Sequence, residues 1–418
     1  MKRIVITFAG REMTMSSQIK FMDNAISRNL IDEWHIWNFS RNGSDNEWLK
    51  KEFGDYTVIL SDRNSIEYIP VIRKQTNEAN ISVFANSDAH LLVTLDSGVC
   101  FEIVIGAYSN SVSIMRRFSN VAAYHLNALP SQKVDLFLEH NKNNIIGISF
   151  KKMKLKISLN GLEIFNVIEN AKVIDTVYAH TGYGSEGLWN EINGQKNARV
   201  KLIECQKSSY VGFRSAYLHY CSNNYADDLF IKMDDDIVYC DIDSLDEFFL
   251  NIMKLKGADI LSANVINNGV CAYFQKKNGY FPGLNQEFDY PKDGSFGDLW
   301  ASSKICQELH LYFIKNINAI KRVAKSEKTL QILPQFDRFS INFVGFKHCM
   351  LLCMLAAYLS DQPNFDDENL MTQLLPKIFG IRKFIFNNLL VSHLSFYKQD
   401  ETLNSDELLK AYNLLSIK

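Results

Sequence analysis

The segment Leu229-Phe-Ile-Lys-Met-Asp-Asp-Asp-Ile-Val-Tyr239 is an apolar run interrupted by three consecutive aspartates. Its first half predicts a β-strand, and its acids fall where that strand should end. Adjacent like charges are unfavourable unless a cation neutralises them, and hard divalent cations prefer oxygen ligands. Because strand side chains alternate, we expect Asp234 and Asp236 on one side and Asp235 on the other. The segment predicts a Mg²⁺ or Mn²⁺ site; an acidic turn capping the helix that follows is the alternative.

Strands and helices alternate on both sides of this segment. The predicted strands cover residues 3–8, 33–39, 200–204, 229–236 and 259–265, and the predicted helices cover residues 16–29, 45–52, 208–220 and 244–255. Such alternation is typical of a doubly wound parallel α/β sheet. Ligands of open α/β sheets bind at the carboxyl ends of the strands, which is where the aspartates fall.

A different pattern begins near residue 65, where short runs with period-two alternation replace the helical periodicity. They cover residues 81–84, 90–95, 101–105, 134–138, 145–149 and 155–159. Closely spaced strands of this kind predict an antiparallel β-sandwich. We therefore expect an α/β domain formed by residues 1–64 and 193–418, interrupted by an all-β insertion of residues 65–192.

The inserted segment contains the stretches FANSDAHLLVTL (84–95), FEIVIGAYSNSVSIMRR (101–117) and VIDTVYAHTGYGSEGLWNEI (173–192). Over roughly residues 66–191 it resembles the β-sandwich module called farnesoic-acid O-methyltransferase-like. The segment has no Gly-rich loop for S-adenosylmethionine, so the name implies no methyl transfer here. Tyr108, Tyr183 and Trp189 are candidates for ligand binding, with packing in the core or in turns as the alternative.

Composition excludes several classes of protein. The 418 residues carry a formal net charge of -2, which argues against a nucleic-acid binder that works by phosphate neutralisation. The eight cysteines form no CxxC pair, so we expect reduced core residues. The apolar runs at the N-terminus and at residues 349–359 are too short for a signal segment or a membrane span. We expect a cytoplasmic protein, with peripheral association with the inner membrane as an alternative.

The aspartate segment, with its preceding strand and helix, resembles the DxD motif of GT-A glycosyltransferases. The resemblance implies that Asp234 and Asp236 hold Mn²⁺ or Mg²⁺, and that Asp234 and Asp235 lie against a nucleotide-sugar donor. It also implies a GT-A domain, a Rossmann-like fold typical of nucleotide-diphospho-sugar transferases.

A second acidic group, Asp366-Asp367-Glu368, opens a predicted amphipathic helix that continues to residue 375. Acids in a first helical turn are stabilised by the helix dipole, which is the structural explanation for them. Inverting GT-A enzymes often carry an acidic pair at this place after the DxD motif. The resemblance therefore implies that Asp367 is the catalytic base, with Glu368 as the alternative.

His393 interrupts the strand-like run of residues 384–394. A lone histidine among apolar residues is more often a satisfied core residue than a ligand. Since GT-A enzymes commonly supply a third metal ligand from a C-terminal histidine, the resemblance implies that His393 ligates the metal. Lys398 lies close enough in sequence to reach the donor phosphates.

The first predicted strand ends in Thr7-Phe-Ala-Gly-Arg11, which in a GT-A fold lies beside the nucleotide. Thr7, Ala9, Gly10 and Arg11 are therefore candidates for donor binding, with Arg11 pairing with phosphate. An ordinary strand-to-helix turn is the alternative. The segment has no GxGxxG, so a dinucleotide site is disfavoured. Further donor-side candidates are Asp62, Arg63 and Arg214.

These patterns predict a metal-dependent, inverting glycosyltransferase. Its donor is a nucleotide-sugar, expected to be a UDP-sugar, and its acceptor is a glycan hydroxyl in surface polysaccharide synthesis, such as capsule or lipopolysaccharide. A nucleotidyltransferase or phosphohydrolase that uses the same carboxylates is one alternative. A glycan-binding scaffold protein is another.

Overall fold

The computed structural model describes residues 1–54, 57–61, 68–121, 132–140, 142–182, 185–191, 199–204, 212–291, 297–326, 328–359 and 366–415. Asp62, Arg63 and Tyr183 lie outside these residues. The chain forms two compact units. Met1–Glu52 and Ala216–Lys418 make up the first unit, and Phe53–Ser215 makes up the second.

The strands are numbered along the chain. They are β1 Arg3–Ala9, β2 Glu33–Asn38, β3 Thr57–Ser61, β4 Ile69–Ile72, β5 Glu78–Phe84, β6 Ala89–Leu95, β7 Cys100–Gly106, β8 Val112–Phe118, β9 Gln132–Val134, β10 Asn144–Lys151, β11 Lys154–Leu159, β12 Leu162–Ile168, β13 Ile174–Thr181, β14 Gly187–Glu191, β15 Val200–Glu204, β16 Leu229–Asp234, β17 Ile237–Cys240, β18 Ile260–Ile266, β19 Leu330–Ile332, β20 Phe343–Lys347 and β21 Lys383–His393.

The helices are α1 Glu12–Ser27, α2 Gly43–Phe53, α3 Ala107–Asn110, α4 Gly212–His219, α5 Leu245–Lys254, α6 Gly269–Lys277, α7 Asp298–Ala301, α8 Ser303–Ser326, α9 His348–Leu359, α10 Asp367–Asn369, α11 Leu375–Phe379 and α12 Ser405–Leu415. A π-helical turn, Leu370–Leu374, joins α10 to α11. None of the described helices combines the length and the apolar character needed to cross a membrane. The seven cysteines among the described residues are free.

The first unit is built on a mixed sheet with the strand order β2-β1-β16-β20-β18-β21-β17, and β19 pairs with β21. Strand β1 is parallel to both β2 and β16, whereas β16 is antiparallel to β20. Strand β16 is buried from Leu229 to Met233, as a central strand covered on both faces requires. Helix α5 packs on this sheet, where the Phe248 ring contacts Phe343 and Phe386. The predicted α/β content is confirmed, but the sheet is mixed and not parallel throughout as predicted, because β20 runs antiparallel to β16 and β18.

The second unit is a β-sandwich. One sheet has the order β12-β11-β10-β5-β14-β3-β15, and the other has the order β4-β13-β6-β7-β8-β9. Alternate residues of both sheets, such as Leu91, Ile103 and Ile148, share one buried core. The predicted sandwich is confirmed.

The sandwich unit is longer than the predicted insertion of residues 65–192. Strand β3 pairs with β14 of the sandwich, and β15 pairs with β3 in parallel. Residues 57–61 and 200–204 were both assigned to the α/β domain, and only residues 200–204 were predicted as a strand. Because β3 pairs with β14 and β15, the sandwich unit extends from Phe53 to Ser215.

Candidate functional site

The three consecutive aspartates lie at a strand end and in the tight turn that follows it. Strand β16 ends at Asp234, and β17 begins at Ile237, so the predicted strand over residues 229–236 ends two residues early. The Asp234 N–H donates to the Asn342 carbonyl at 2.9 Å, and the Leu394 N–H donates to the Asp236 carbonyl at 2.9 Å. These long-range bonds fix the turn between two distant segments of the chain.

Asp234, Asp236 and His393 meet in one cluster. Each offers a ligand atom, and these atoms lie within 4.8 Å of one another. The His393 Nε2 is 3.1 Å from Asp236 Oδ2, and both side chains are buried. The Asp234 side chain is 27% exposed, so the cluster opens to solvent on its side. The structure therefore brings together the three residues predicted as metal ligands.

Two buried atoms of this cluster have no hydrogen-bond partner among the described residues. They are Asp236 Oδ1 and His393 Nδ1. Leaving such atoms unpaired costs about 1 to 3 kcal/mol each, so an unexplained pair at one place suggests a missing partner. Two carboxylates and an imidazole suit a divalent cation, and the imidazole favours Mn²⁺ over Mg²⁺. The residues present fit such an ion, and Asp234, Asp236 and His393 would hold it.

Two cationic side chains neutralise part of the acidic charge. Arg11 Nη2 lies 2.6 Å from both Asp235 Oδ1 and Asp236 Oδ2. The buried Lys232 ammonium donates to Asp234 Oδ1 and, at 3.0 Å, to the Ile341 carbonyl. Three carboxylates thus face two side chains that are always cationic, and His393 adds a third positive charge when it is protonated.

The electrostatic environment keeps Asp236 ionised. Burial raises the pKa of Asp236, but His393 and Arg11 outweigh it and hold that pKa below its ordinary value. Burial lowers the pKa of His393, and the neighbouring Asp236 raises it above its ordinary value. The pKa of Asp234 is raised by burial and by Asp236, against the opposing charge of Lys232.

The first loop contacts the aspartates through Gly10 and Arg11. The Gly10 N–H donates to Asp235 Oδ2 at 2.9 Å. A Cβ at position 10 would lie 3.2 Å from that oxygen, so glycine permits the close approach. Arg11 pairs with Asp235 and Asp236, because β1 lies beside β16 and brings the loop to the turn. Its pairing with a donor phosphate stays a prediction.

Thr7 and Ala9 are buried in β1. The Thr7 hydroxyl accepts a hydrogen bond from Trp34 Nε1 at 3.0 Å, so its side chain serves the core of this sheet.

The second acidic group begins a short helical segment. Asp366 caps α10 through a side-chain bond to the Asn369 N–H at 2.6 Å. Asp367 Oδ2 accepts a hydrogen bond from the buried Tyr217 hydroxyl at 2.9 Å. Arg338 donates through Nε to Glu368 Oε1 at 2.5 Å. Burial raises the pKa of Glu368, although Arg338 opposes the rise.

The two acidic groups act on the same buried side chains. Burial lowers the pKa of Lys232, but Asp234 and then Asp367 outweigh it, so the net change is upward. The pKa of Tyr217 is raised mainly by burial, then by Asp367, and to a lesser degree by Asp234. Asp367 therefore belongs to the same electrostatic environment as the aspartate turn.

Four contacts of these acids were not predicted from the sequence. Two of them are the contacts of Lys232 and Tyr217 described above. In the other two, Asn342 donates to Asp234 Oδ2 at 3.1 Å and Gln18 donates to the Asp234 carbonyl at 2.6 Å. The contact of Lys232 could have been inferred from the sequence, because a lysine two positions before Asp234 in the same strand lies on the same face as Asp234. The other three depend on long-range packing.

The remaining candidates lie on other elements of the chain. Arg214 is in α4 and belongs to the second unit. Lys398 is exposed, and its ammonium lies 5.5 Å from the centre of the Tyr397 ring. In the sandwich, Tyr108 is exposed, whereas Trp189 is buried and donates to Ser61 Oγ at 3.1 Å. Trp189 therefore has a packing role.

Comparisons with known proteins give only distant similarity. No protein-family model matches the chain, and no curated protein matches it. Solved structures with partial similarity include the carbohydrate-binding module CBM66 from Bacillus subtilis, at 9% identity over 30% of this chain and 94% of that chain, with a TM-score of 0.22. Another is the Caenorhabditis elegans galectin LEC-6, at 10% identity over 32% of this chain and 96% of that chain, with a TM-score of 0.24.

Proposed function

We propose that the protein is a metal-dependent glycosyltransferase of the GT-A type. The observation that carries the proposal is the cluster of Asp234, Asp236 and His393 at a strand end, in which one buried polar atom of Asp236 and one of His393 have no hydrogen-bond partner among the described residues. The donor is a nucleotide-sugar, with a UDP-sugar as the expected form. The acceptor is a hydroxyl of a glycan in surface polysaccharide synthesis.

The three clustered residues hold Mn²⁺ or Mg²⁺ in this proposal. When bound, the cation supplies Lewis-acid neutralisation of charge on the departing nucleoside diphosphate. Lys232 stays against Asp234 and holds that carboxylate in place. The Arg11 side chain holds the carboxylate of Asp235 through two hydrogen bonds.

Asp367 is the proposed base. It takes the proton of the acceptor hydroxyl, the hydroxyl oxygen attacks the anomeric carbon, and the bond from that carbon to the diphosphate oxygen breaks with inversion. The Tyr217 hydroxyl orients the Asp367 carboxylate. Glu368 is less suited, because Arg338 already binds it and stabilises its charge.

The proposal is tested by thermal unfolding with a panel of nucleotide sugars, with and without Mn²⁺. A donor present at 100 times its Kd stabilises the native state by about 2.7 kcal/mol, and we expect this only with metal. Asp236→Ala should abolish the effect. The control is Asp243→Ala, since Asp243 is exposed and pairs with Arg28.

Release of nucleoside diphosphate separates the alternatives. A glycosyltransferase releases it from a sugar donor when an acceptor is present. A phosphohydrolase would release inorganic phosphate, and a scaffold protein would release neither. Stabilisation by donors that is unaffected by metal, or that persists in Asp236→Ala, would refute the proposed role of the cluster.

A further inference from the structure

The second sheet of the sandwich carries a polar cluster on the face that lies opposite the core. The Glu102 cluster consists of Tyr68, His90, Glu102, Arg116 and His180. The residues next to its members along the strands, Leu91, Ile103 and Met115, point into the sandwich core. Because strand side chains alternate, His90, Glu102 and Arg116 share the opposite face.

Glu102 organises this cluster. Its buried carboxylate accepts hydrogen bonds from Arg116 Nη1 at 2.5 Å, Tyr68 Oη at 3.2 Å and His90 Nδ1 at 3.3 Å. Burial raises the pKa of Glu102, but His90 and Arg116 outweigh it and lower that pKa to about 2. The ionised Glu102 carboxylate thus holds two side chains that are partly exposed to solvent, since Arg116 is 24% exposed and His90 is 18% exposed.

The two histidines present acceptors. His180 Nδ1 lies 2.7 Å from the Thr181 carbonyl, so this nitrogen carries the proton and Nε2 keeps a lone pair. His90 Nδ1 faces the Glu102 carboxylate, which fixes the same tautomer. The two rings stack with centroids 4.3 Å apart. Within the described part of the chain, neither Nε2 makes a hydrogen bond.

The backbone of Gly182 packs closely beside one of these acceptors. A Cβ at Gly182 would lie 3.3 Å from His90 Nε2 and 2.7 Å from the Asp88 Cβ. A larger residue at this position would therefore crowd the His90 ring.

Arg116 supplies donors next to these acceptors. Its contact with Glu102 uses one of the five N–H groups of the guanidinium. Within the described contacts, the remaining N–H groups are available as donors. A hydroxyl both donates and accepts, so a polyhydroxyl ligand satisfies both kinds of group. The oxygens of a phosphate or carboxylate only accept hydrogen bonds. They would be repelled by the lone pairs of the two histidine Nε2 atoms and by the negative charge of Glu102.

We propose that the Glu102 cluster is a binding site for a neutral sugar residue of a glycan. Sugar hydroxyls donate to His90 Nε2 and His180 Nε2 and accept from Arg116. The Tyr68 ring, which meets the His180 ring edge to face at 4.4 Å, borders the site. This site goes beyond the proposed transferase function and does not depend on it, since it needs neither metal nor nucleotide.

The test uses the full chain with EDTA present, so that no divalent metal supports donor binding. The probes are glucose, galactose, mannose, N-acetylglucosamine and their β-linked disaccharides, with glucuronate and inorganic phosphate as anionic probes. Saturation-transfer difference NMR detects binding, and titration gives the Kd. We expect at least one neutral sugar to bind, and the anions to bind no better than it does.

Arg116→Gln should weaken that binding at least about tenfold, because it removes charge-assisted hydrogen bonds. The matched control is Arg117→Gln on the same strand, whose side chain pairs with Glu169 at the surface. If Arg116→Gln does not fold, His90→Phe keeps the ring and removes the Nε2 acceptor, and it should weaken binding similarly.

Three results would overturn the proposal: no neutral sugar binds the wild-type chain at millimolar concentration, the anions bind in preference, or the folded cluster variants bind as the control does. Loss of metal-dependent donor binding in Asp236→Ala would leave this sugar binding unchanged. Failure of the transferase proposal and failure of this one are therefore distinguishable.

Discussion

Arg11 Nη2 donates to Asp236 Oδ2 across 2.6 Å, although the two residues are 225 positions apart in the chain. The same guanidinium holds Asp235. It therefore occupies a carboxylate oxygen of the cluster that Asp234, Asp236 and His393 form. A divalent cation bound at this cluster would compete with Arg11 for Asp236.

Arg11→Gln should tighten the binding of Mn²⁺ about tenfold in the absence of nucleotide, because the competing charge is removed. Without metal, the same change should lower the free energy of unfolding by about 2 to 3 kcal/mol, since two buried carboxylates lose a partner. Calorimetric titration and urea unfolding give the two values. Arg28→Gln, which removes a surface ion pair, is the control. Equal or weaker Mn²⁺ binding would contradict this competition.

His393→Gln should weaken Mn²⁺ binding more than Mg²⁺ binding, because an amide oxygen replaces an imidazole nitrogen and Mg²⁺ prefers oxygen. We expect the preference for Mn²⁺ to fall about tenfold, measured by titration with each ion. His348→Gln serves as the control, since His348 bonds the Ser222 carbonyl away from the acids. An unchanged preference would show that His393 is a core residue.

Asp367→Asn should reduce kcat by about 100-fold to 10,000-fold, the range for loss of a general base. Glu368→Gln should reduce it less than tenfold, and should mainly lower stability because Arg338 loses one of its two charged partners and keeps Asp366. Steady-state kinetics on the donor and acceptor found in the panel compare the two. The reverse order of effects would identify Glu368 as the base.

Tyr217→Phe removes the hydroxyl that donates to Asp367 Oδ2. We expect kcat to fall several-fold with little change in KM, and the free energy of unfolding to fall by about 1 kcal/mol. The change should act on kcat because the Asp367 carboxylate loses the hydroxyl that orients it, and steady-state kinetics with urea unfolding measure both effects. Tyr225→Phe, which removes a bond to His219, is the control. An unchanged kcat would limit Tyr217 to packing.

Glu102 should make the sandwich sensitive to acid. Its pKa falls from an ordinary 4.5 to about 2 in the folded chain. A lowered carboxyl pKa stabilises the fold above pH 4.5, and this contribution is lost as the pH falls toward 2. We expect the stability difference between wild type and Glu102→Gln to shrink by about 3 kcal/mol over that interval, measured by urea unfolding. Glu163→Gln, at an exposed pair, should show no comparable change.

The sequence was sufficient for the parts that local periodicity and residue type determine. Asp234 and Asp236 were predicted as ligands because consecutive acids interrupt an apolar run, and His393 was added only through the resemblance to GT-A glycosyltransferases. The structure places the three residues in one cluster. The contact of Arg11 with Asp235 was not predicted. It depends on the pairing of β1 with β16, in which Phe8 lies opposite Asp234, and no local pattern reports that register.

Long-range bonding changes two of the locally predicted elements: one strand is shorter than predicted, and one helix contains a π-helical turn. Residues 134–138 alternate as a strand does, yet the strand ends at Val134. Asn110 bonds both the N–H and the carbonyl of Leu138, so a side chain takes the place of a neighbouring strand. The helix predicted to continue to residue 375 contains a π-helical turn, whose Thr372 carbonyl accepts from Lys383 at 2.7 Å.

The discontinuous first unit has a consequence for synthesis on the ribosome. Strand β1 needs β16 as its neighbour, and β16 emerges only after the whole of Phe53–Ser215 has been translated. The sandwich unit is continuous in the chain and can fold as it emerges. Met1–Glu52 must wait with an unpaired strand edge in the meantime, which makes this N-terminal piece the part of the nascent chain most in need of chaperone protection.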